Sequence, residues 1–350
     1  MDSRVESMVL FFVAVLLWAP LVSSRLPIED AAMNNDQDMI ERYHQWMIKY
    51  GRNEDAKEAA RRFPVFKKNV EYVDFVNGQN RSYKLTANQF ADQTEEEFSR
   101  TRCGFRSSKQ GSKASRRPAV SSTMDAGDEN VPVSIDWRKK GAVTPIQDQG
   151  DCGSCWAFSA VAAIEGIIMI KEGTLVDLSE QQLVDCDVND RGCGGGEMTT
   201  AFDFALQHHG LASEKAYPYA GVDEKCNKGV RANGNSSIIA GHERVPANDE
   251  KALLRAVAKQ PVSVGIEASS LDFRFYSSGI FAGECGTELD HGVAVVGYGI
   301  DDDDDGTKFW IVKNSWGTEW GEDGYIRMKR DVNQKGGICG IAIDASYPFA

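Results

Sequence analysis

A chain of 350 residues, 42% hydrophobic and 26% charged, has the balance of a globular protein able to bury a sizeable core, which excludes disordered and collagen-like readings. Its net charge of -13 argues against a general electrostatic footprint for nucleic acid or an anionic membrane surface. The expected partner is neutral, basic or locally recognised, with no nucleic acid and no membrane involved.

At the N-terminus, Met8 to Leu17 form an apolar run followed by Pro20, Val22, Ser23 and Ser24, which predicts a signal peptide over residues 1–24 cut before Arg25. The run is short for a membrane-spanning helix, and Asp2 and Glu6 offset Arg4 ahead of it. Eight cysteines in a chain entering an oxidising compartment read as a disulfide framework. Seven of them lie from Cys152 onward, and an odd number leaves at least one thiol free or paired between chains. Asn80-Arg81-Ser82 and Asn235-Ser236-Ser237 are glycosylation sequons in keeping with a secretory route.

Residues from about 37 to 77 read as helical, with Tyr43, Trp46 and Met47 giving one apolar stripe and Phe66, Val70 and Val73 another. Pro64 predicts a kink or a helix start. From Phe105 to Asp128 the composition shifts to Ser, Lys, Arg and Gly, the chemistry of an exposed, easily cut linker.

Beyond the linker, the apolar run from Cys155 through Ile170 predicts a mostly buried helix with Ser154 as its N-cap. A second helix starts at Ser179, with Gln182 completing a capping box, and a third spans Met198 to His209 before Gly210. Past Ile238 the pattern turns to strands around Val262 to Ile266, Val293 to Val296, Trp310 to Val312 and Tyr325 to Met328. One helix from Asn248 to Ala258, capped by that Asn, interrupts them. A helical lobe followed by a β-rich lobe predicts an α+β fold with a cleft between the lobes. The run Asp301 to Asp305 reads as a solvated acidic loop rather than a calcium loop, which needs alternating ligands about a sharp turn.

The strongest local signal is Gln149-Gly150-Asp151-Cys152-Gly153-Ser154-Cys155-Trp156. A thiol in the first turn of a helix feels the positive end of the helix dipole, and a nearby imidazolium lowers its pKa further, so Cys155 is suited to be a nucleophile. Cys152 and Cys155 also form a Cys-x-x-Cys pair of the kind oxidoreductases use, although five further cysteines and the absence of a βαβ pattern weigh against that reading. For a base, the region offers His208, His209, His242 and His291. The first two end a helix and His242 sits in a turn, whereas His291 stands at the mouth of the buried strand Gly292 to Val296 among small neighbours. Asn314, in Lys313-Asn314-Ser315-Trp316-Gly317, can orient the ring, and Trp316 can shield that hydrogen bond from water. His291 lies within, and Asn314 just past, the roughly 130–150-residue separation from the cysteine that this nucleophile pattern carries.

With these motifs in this order, the chain resembles precursors of papain-family cysteine proteases, nearest to plant enzymes related to cathepsin L and of the senescence-associated vacuolar type. The resemblance covers nearly everything after the signal peptide. It implies a two-lobed fold, a helical N-terminal lobe and a barrel-like β-rich C-terminal lobe, preceded by a helical inhibitory propeptide. The division it implies is a propeptide over 25–130 (core about 37–105, linker 106–130) and a peptidase domain over 131–350, opening at Val131-Pro132-Val133-Ser134-Ile135-Asp136-Trp137.

By the same resemblance, Gln149 and the backbone N–H of Cys155 form the oxyanion hole, Gly195 and Gly196 bind the substrate backbone, and Trp316 and Trp320 line the leaving-group side. The pocket for the residue second from the cut on its N-terminal side is formed by Met198, Gly265, Leu289, Gly292 and Asp344, with Glu197 at its edge. Gly265 enlarges it for bulky apolar residues, and Asp344 is expected to admit Lys or Arg as well. The implied disulfides are Cys152 with Cys193, Cys186 with Cys226, and Cys285 with Cys339, leaving Cys155 free and Cys103 unassigned.

Glu58, Arg62, Phe66, Asn69, Val73 and Asn77 match the propeptide's spaced helix motif, and Asn88, Phe90 and Asp92 its second motif. Thr86 stands where that second motif has Gly, and Pro64 falls inside the helix. The expected partners are protein and peptide substrates, the enzyme's own propeptide and cystatin-like inhibitors, with the protein a monomer in a vacuole, a lysosome-like compartment or the exterior. No metal or organic cofactor is implied. Transpeptidation on the same thioester, a protein that binds without cleaving, and the Cys-x-x-Cys oxidoreductase are the competing readings.

Overall fold

The computed structural model describes residues 27–107, 131–230, 232, 239–301 and 306–350, with side chains described from residue 36 onward. The expected signal peptide, most of the linker, the Asn235 sequon and residues 302–305 of the acidic run lie outside these residues. Asn80 is described and exposed.

The pro-region opens with α1 (Pro27–Lys49) and α2 (Ala56–Asn77). They pack through Tyr43, Trp46, Phe63 and Phe66, whose ring centroids lie 4.9 to 5.9 Å apart. Pro64 does not start α2, and the helix is continuous through it. The start is set by Asp55, whose carboxylate accepts the N–H groups of Lys57 and Glu58 at 3.0 and 2.9 Å. A mid-helix proline removes one donor, and the flanking Phe63 and Phe66 both pack on Tyr43 of α1.

Two asparagines spaced along α2 reach off the helix to backbone groups. Asn69 donates to the Ala91 and Gln93 carbonyls at 2.8 and 3.1 Å, and Asn77 exchanges hydrogen bonds with the backbone N–H and C=O of Leu85. These fix β1 (Tyr83–Leu85) and the stretch leading to α3 (Glu95–Arg102), whose Thr94 and Glu97 form a capping box. Thr86 meets no penalty for replacing Gly, because its φ lies outside the left-handed region and its N–H donates to the Phe275 carbonyl at 2.8 Å.

After the linker come β2 (Ile135–Asp136), α4 (Cys155–Glu172), α5 (Glu180–Cys186) and α6 (Met198–Gln207). Ser154 precedes α4 but does not cap it with its side chain, because its hydroxyl is engaged with the Tyr219 hydroxyl at 2.6 Å. At α5 the Ser179 hydroxyl accepts from the Gln182 N–H as expected, while the Gln182 side chain accepts from Ala212 instead of returning a capping bond.

The remainder comprises β3 (Gly241–Arg244), α7 (Glu250–Val257), β4 (Val262–Ile266), α8 (Leu271–Arg274), β5 (Tyr276–Phe281), β6 (His291–Ile300), β7 (Lys308–Lys313), β8 (Tyr325–Lys329) and β9 (Ala345–Phe349). Asp249, not Asn248, caps α7 by accepting from the Ala252 N–H at 2.9 Å, and Asn248 takes a left-handed φ of 61° just before it. The strands form one sheet in the order β1-β5-β8-β7-β6-β4-β9-β3, with β2 also paired to β6. The pairings are antiparallel except β5 with β8.

Two main apolar cores result. One joins the sheet to the pro-region aromatics, and the other gathers α4, α5 and α6 around Phe105 of the pro-region. Because α4 lies against β6, the first residue of that helix meets the start of that strand, where the Gly292 N–H donates to Cys155 Sγ at 3.4 Å.

Candidate active site

Cys155 begins α4 and His291 begins β6, and both are fully buried. The Nε2 of His291 lies 2.8 Å from Oδ1 of Asn314, just past β7. That oxygen also accepts the Ser315 N–H at 2.8 Å, so it is an acceptor and His291 is the donor. The neutral ring therefore keeps its lone pair on Nδ1, which is buried without a hydrogen bond. The Trp316 ring lies against the imidazole with centroids 4.6 Å apart and is itself fully buried.

Gln149 is held just as firmly. Its Oε1 accepts the Ser315 hydroxyl at 2.7 Å, which turns its Nε2 toward the Cys152 carbonyl at 2.8 Å and the Arg102 carbonyl at 3.2 Å. Ser315, quoted in the sequence only as a neighbour of Asn314, thus orients the Gln149 amide by its hydroxyl and supports Asn314 by its backbone. No residue-type signal distinguishes it from any other loop serine.

The structure joins Cys152 to Cys193, Cys186 to Cys226 and Cys285 to Cys339, leaving Cys155 and Cys103 free. Cys152 is therefore committed elsewhere and does not pair with Cys155. Of the other candidate histidines, His242 is bonded to Asp203 at 3.0 Å, His208 is stacked on Phe204 at 3.9 Å, and His209 is exposed just after α6.

The pro-region threads the cleft from Arg102 to Ser107. The Arg102 guanidinium pairs with Asp148 and Asp151 at 3.0 and 3.1 Å, while its carbonyl occupies the Gln149 amide. The Gly104 N–H donates to Cys155 Sγ at 3.4 Å, as does the Gly292 N–H. Gly196 donates to the Gly104 carbonyl and accepts from the Arg106 N–H, both at 2.9 Å, in a parallel pairing. Phe105 packs with Met198 and Leu289, and a Cβ on Gly265 would meet its ring at 2.4 Å. Ser107 donates to Asp344 Oδ2 at 2.9 Å.

Gly104 and Gly196 are glycine for want of space. A methyl on Gly104 would sit 1.8 Å from the Gly153 carbonyl oxygen, and one on Gly196 2.6 Å from the Trp156 indole. On the other side of the cleft, Phe90 and Phe98 pack edge-on against Trp316, which in turn meets Trp320 at 5.1 Å. Trp316 and Trp320, expected on the leaving-group side, are fully covered in this state.

With the pro-region in place, burial governs the chemistry of the pair. Burial pushes the Cys155 thiol up to about 11, and burial pushes the His291 imidazole down to about 4 against the Asn314 hydrogen bond that favours its charged form. Both groups are therefore neutral at ordinary pH while the pro-region is in place.

Residues 131–349 match the family model described as papain family cysteine protease, and residues 43–98 match the cathepsin propeptide inhibitor domain. A senescence-specific cysteine protease of Arabidopsis thaliana is 52% identical over 320 residues, covering 90% of this chain and 92% of that protein. Vignain of Vigna mungo is 47% identical over 350 residues, covering 95% and 94%. A solved structure of the Amb a 11 cysteine protease, a major ragweed pollen allergen, in its proform matches with a TM-score of 0.80 at 42% identity, covering 89% of this chain and 95% of that one.

Proposed function

The chain belongs to the papain family of cysteine proteases and is the zymogen of a cysteine endopeptidase; from that premise we propose that Cys155, His291, Asn314 and Gln149 carry out the peptide-bond cleavage. His291 takes the thiol proton through Nδ1, and the Cys155 thiolate, at the positive end of α4, attacks the scissile carbonyl. The Gln149 amide and the Cys155 backbone N–H hold the oxyanion. His291 then gives its proton to the leaving amine, and a thioester to Cys155 remains. Water, deprotonated by His291, hydrolyses the thioester and frees the acid product and the thiol. Asn314 keeps the ring in the tautomer this sequence needs.

The observation that carries this reading is the doubly fixed geometry around Ser315, which sets Nε2 of Gln149 toward the cleft and ties Nε2 of His291 to Asn314. The pro-region's direction fits its role as inhibitor. A substrate places its second residue before the cut by Gly265 and its leaving group by Trp316, whereas residues 102 to 107 run the other way. An N–H, not a carbonyl carbon, then faces the sulfur.

The expected limits are a signal peptide over 1–24, a propeptide over 25–130 and a peptidase over 131–350. Three disulfides and an exposed Asn80 support passage through the secretory pathway to a vacuole, a lysosome-like compartment or the exterior. The matured enzyme is proposed to act as a monomer and to be open to cystatin-like inhibitors once the cleft is cleared. The substrate-contacting residues are Gly195, Gly196, Met198, Gly265, Leu289, Gly292, Trp316, Trp320 and Asp344.

The test is to mature the precursor at acidic pH with a thiol reductant and assay fluorogenic peptides while a limiting alkylating agent is added. Loss of cleavage in step with labelling of Cys155 alone is expected. Cleavage that persists after Cys155 is fully labelled would remove it from the mechanism.

A further inference from the structure

Two carboxylates stand next to the glycines that hold Phe105, Glu197 after Gly196 and Asp344 bonded through its backbone to Gly265, and one cation already spans them. Arg244 ends β3, in register with Ser346 of β9, two residues beyond Asp344. Its Nη1 donates to Asp344 Oδ1 at 2.6 Å, and its Nη2 donates to Glu197 Oε1 and, at 3.0 Å, to Thr199 Oγ1. Glu197 is fixed further by the Thr199 hydroxyl at 2.8 Å. The Asp344 backbone carbonyl accepts the Gly265 N–H at 2.9 Å, which sets this residue beside the glycine that gives Phe105 its room. Its free-facing oxygen, Oδ2, meets Ser107 of the segment lying in the cleft. That oxygen therefore faces the segment lying in the cleft, two residues on from Phe105.

Exposure places the three charges differently. The side chains of Asp344 and Glu197 are 11% and 9% exposed, while that of Arg244 is 45% exposed. The carboxylates are the buried members of the group, and the guanidinium closes on them from the solvent side. Asp344 alone would attract a Lys or Arg side chain, as expected from the sequence. With Arg244 in place, an incoming cation meets a like charge within one side-chain length and competes for an acceptor already in use.

We propose that Arg244 is a specificity-determining residue that takes up the charge of Asp344 and Glu197, so that the pocket selects bulky apolar side chains and turns away Lys and Arg. The inference rests on the protease reading and names the substrate class of that same cleft. Glu197 acts with Asp344, and Thr199 holds the guanidinium in place by its hydroxyl.

The experiment compares kcat/KM of the matured enzyme on two fluorogenic peptides that differ only in Phe or Arg at the second residue before the cut. Wild type is expected to prefer Phe by more than about tenfold, and Arg244→Gln to raise cleavage of the Arg peptide by about tenfold or more while leaving the Phe peptide within about threefold. Adding Asp344→Asn to Arg244→Gln should abolish that gain. Arg244→Met, used should the Gln variant not mature, is expected to give the same gain on the Arg peptide. Equal cleavage of both peptides by wild type, parallel changes in both with Arg244→Gln, or a gain on the Arg peptide that survives the addition of Asp344→Asn would overturn the inference and leave the protease reading standing. No cleavage of the Phe peptide by wild type would overturn both.

Discussion

The backbone N–H of Gly104 donates to the sulfur of Cys155 across 3.4 Å, and the space around that glycine is so tight that a single methyl would collide with the Gly153 backbone. The nucleophile is thus covered by a segment that admits no side chain at its point of closest approach.

Gly104→Ala should therefore lift residues 102 to 107 out of the cleft. In intact precursor, alkylation of Cys155 is expected to speed up by at least about tenfold, equivalent to ~1.4 kcal/mol of lost docking. Labelling as slow as in wild type would mean that the cover does not depend on this close approach.

Asn69 is buried and donates to two carbonyls of the stretch between β1 and α3. Asn69→Ala leaves those carbonyls without that partner and should cost the pro-region about 1–3 kcal/mol. The check is the urea midpoint of the pro-region in a Cys155→Ala precursor, followed by Trp46 fluorescence. A midpoint within error of the parent would show that water replaces the amide without loss.

Gln149→Ala should lower kcat of the matured enzyme by about 10²–10³ with little change in KM, since its amide is directed at charge that exists only during the reaction. A change confined to KM would assign Gln149 to ground-state binding.

The pH dependence follows from His291. Covered, the ring takes its proton only near pH 4; uncovered, it does so near its ordinary 6.5. Between those values the covered state holds fewer protons, so the ring's contribution to docking is fully present above 6.5 and is lost as pH falls from about 6.5 to 4. Asp92 has the opposite sign, because burial raises its carboxyl above the usual range and acid then favours the docked state. With His291 dominant, proteolytic accessibility of residues 102 to 107 in a Cys155→Ala precursor should rise on acidification through this window. Accessibility that falls with acid would show that Asp92 controls the docking.

Much of the site was legible because its residue types are chemically unusual where they stand: a cysteine opening an apolar helix, a histidine opening a buried strand, an asparagine beside a tryptophan. The errors share a cause. At Ser154 and Asn248 local preference favoured one outcome, and a nearby partner, Tyr219 or Asp249, imposed another. Short strands were invisible: β1 has three residues and gains its edge only by pairing with β5 across nearly two hundred positions. Arg244 escaped for the same reason, since its strand is four residues long and its partner Asp344 lies a hundred positions away.

The central claim is that the propeptide keeps the Cys155 and His291 pair neutral and covered. It is tested most directly by the rate of Cys155 alkylation from about pH 6 to pH 9, in intact precursor and in matured enzyme. The account predicts that the precursor resists labelling until alkaline pH, in line with a thiol held near 11, while the matured enzyme labels fast throughout, from an ionised sulfur. Superimposable profiles for the two forms would contradict it.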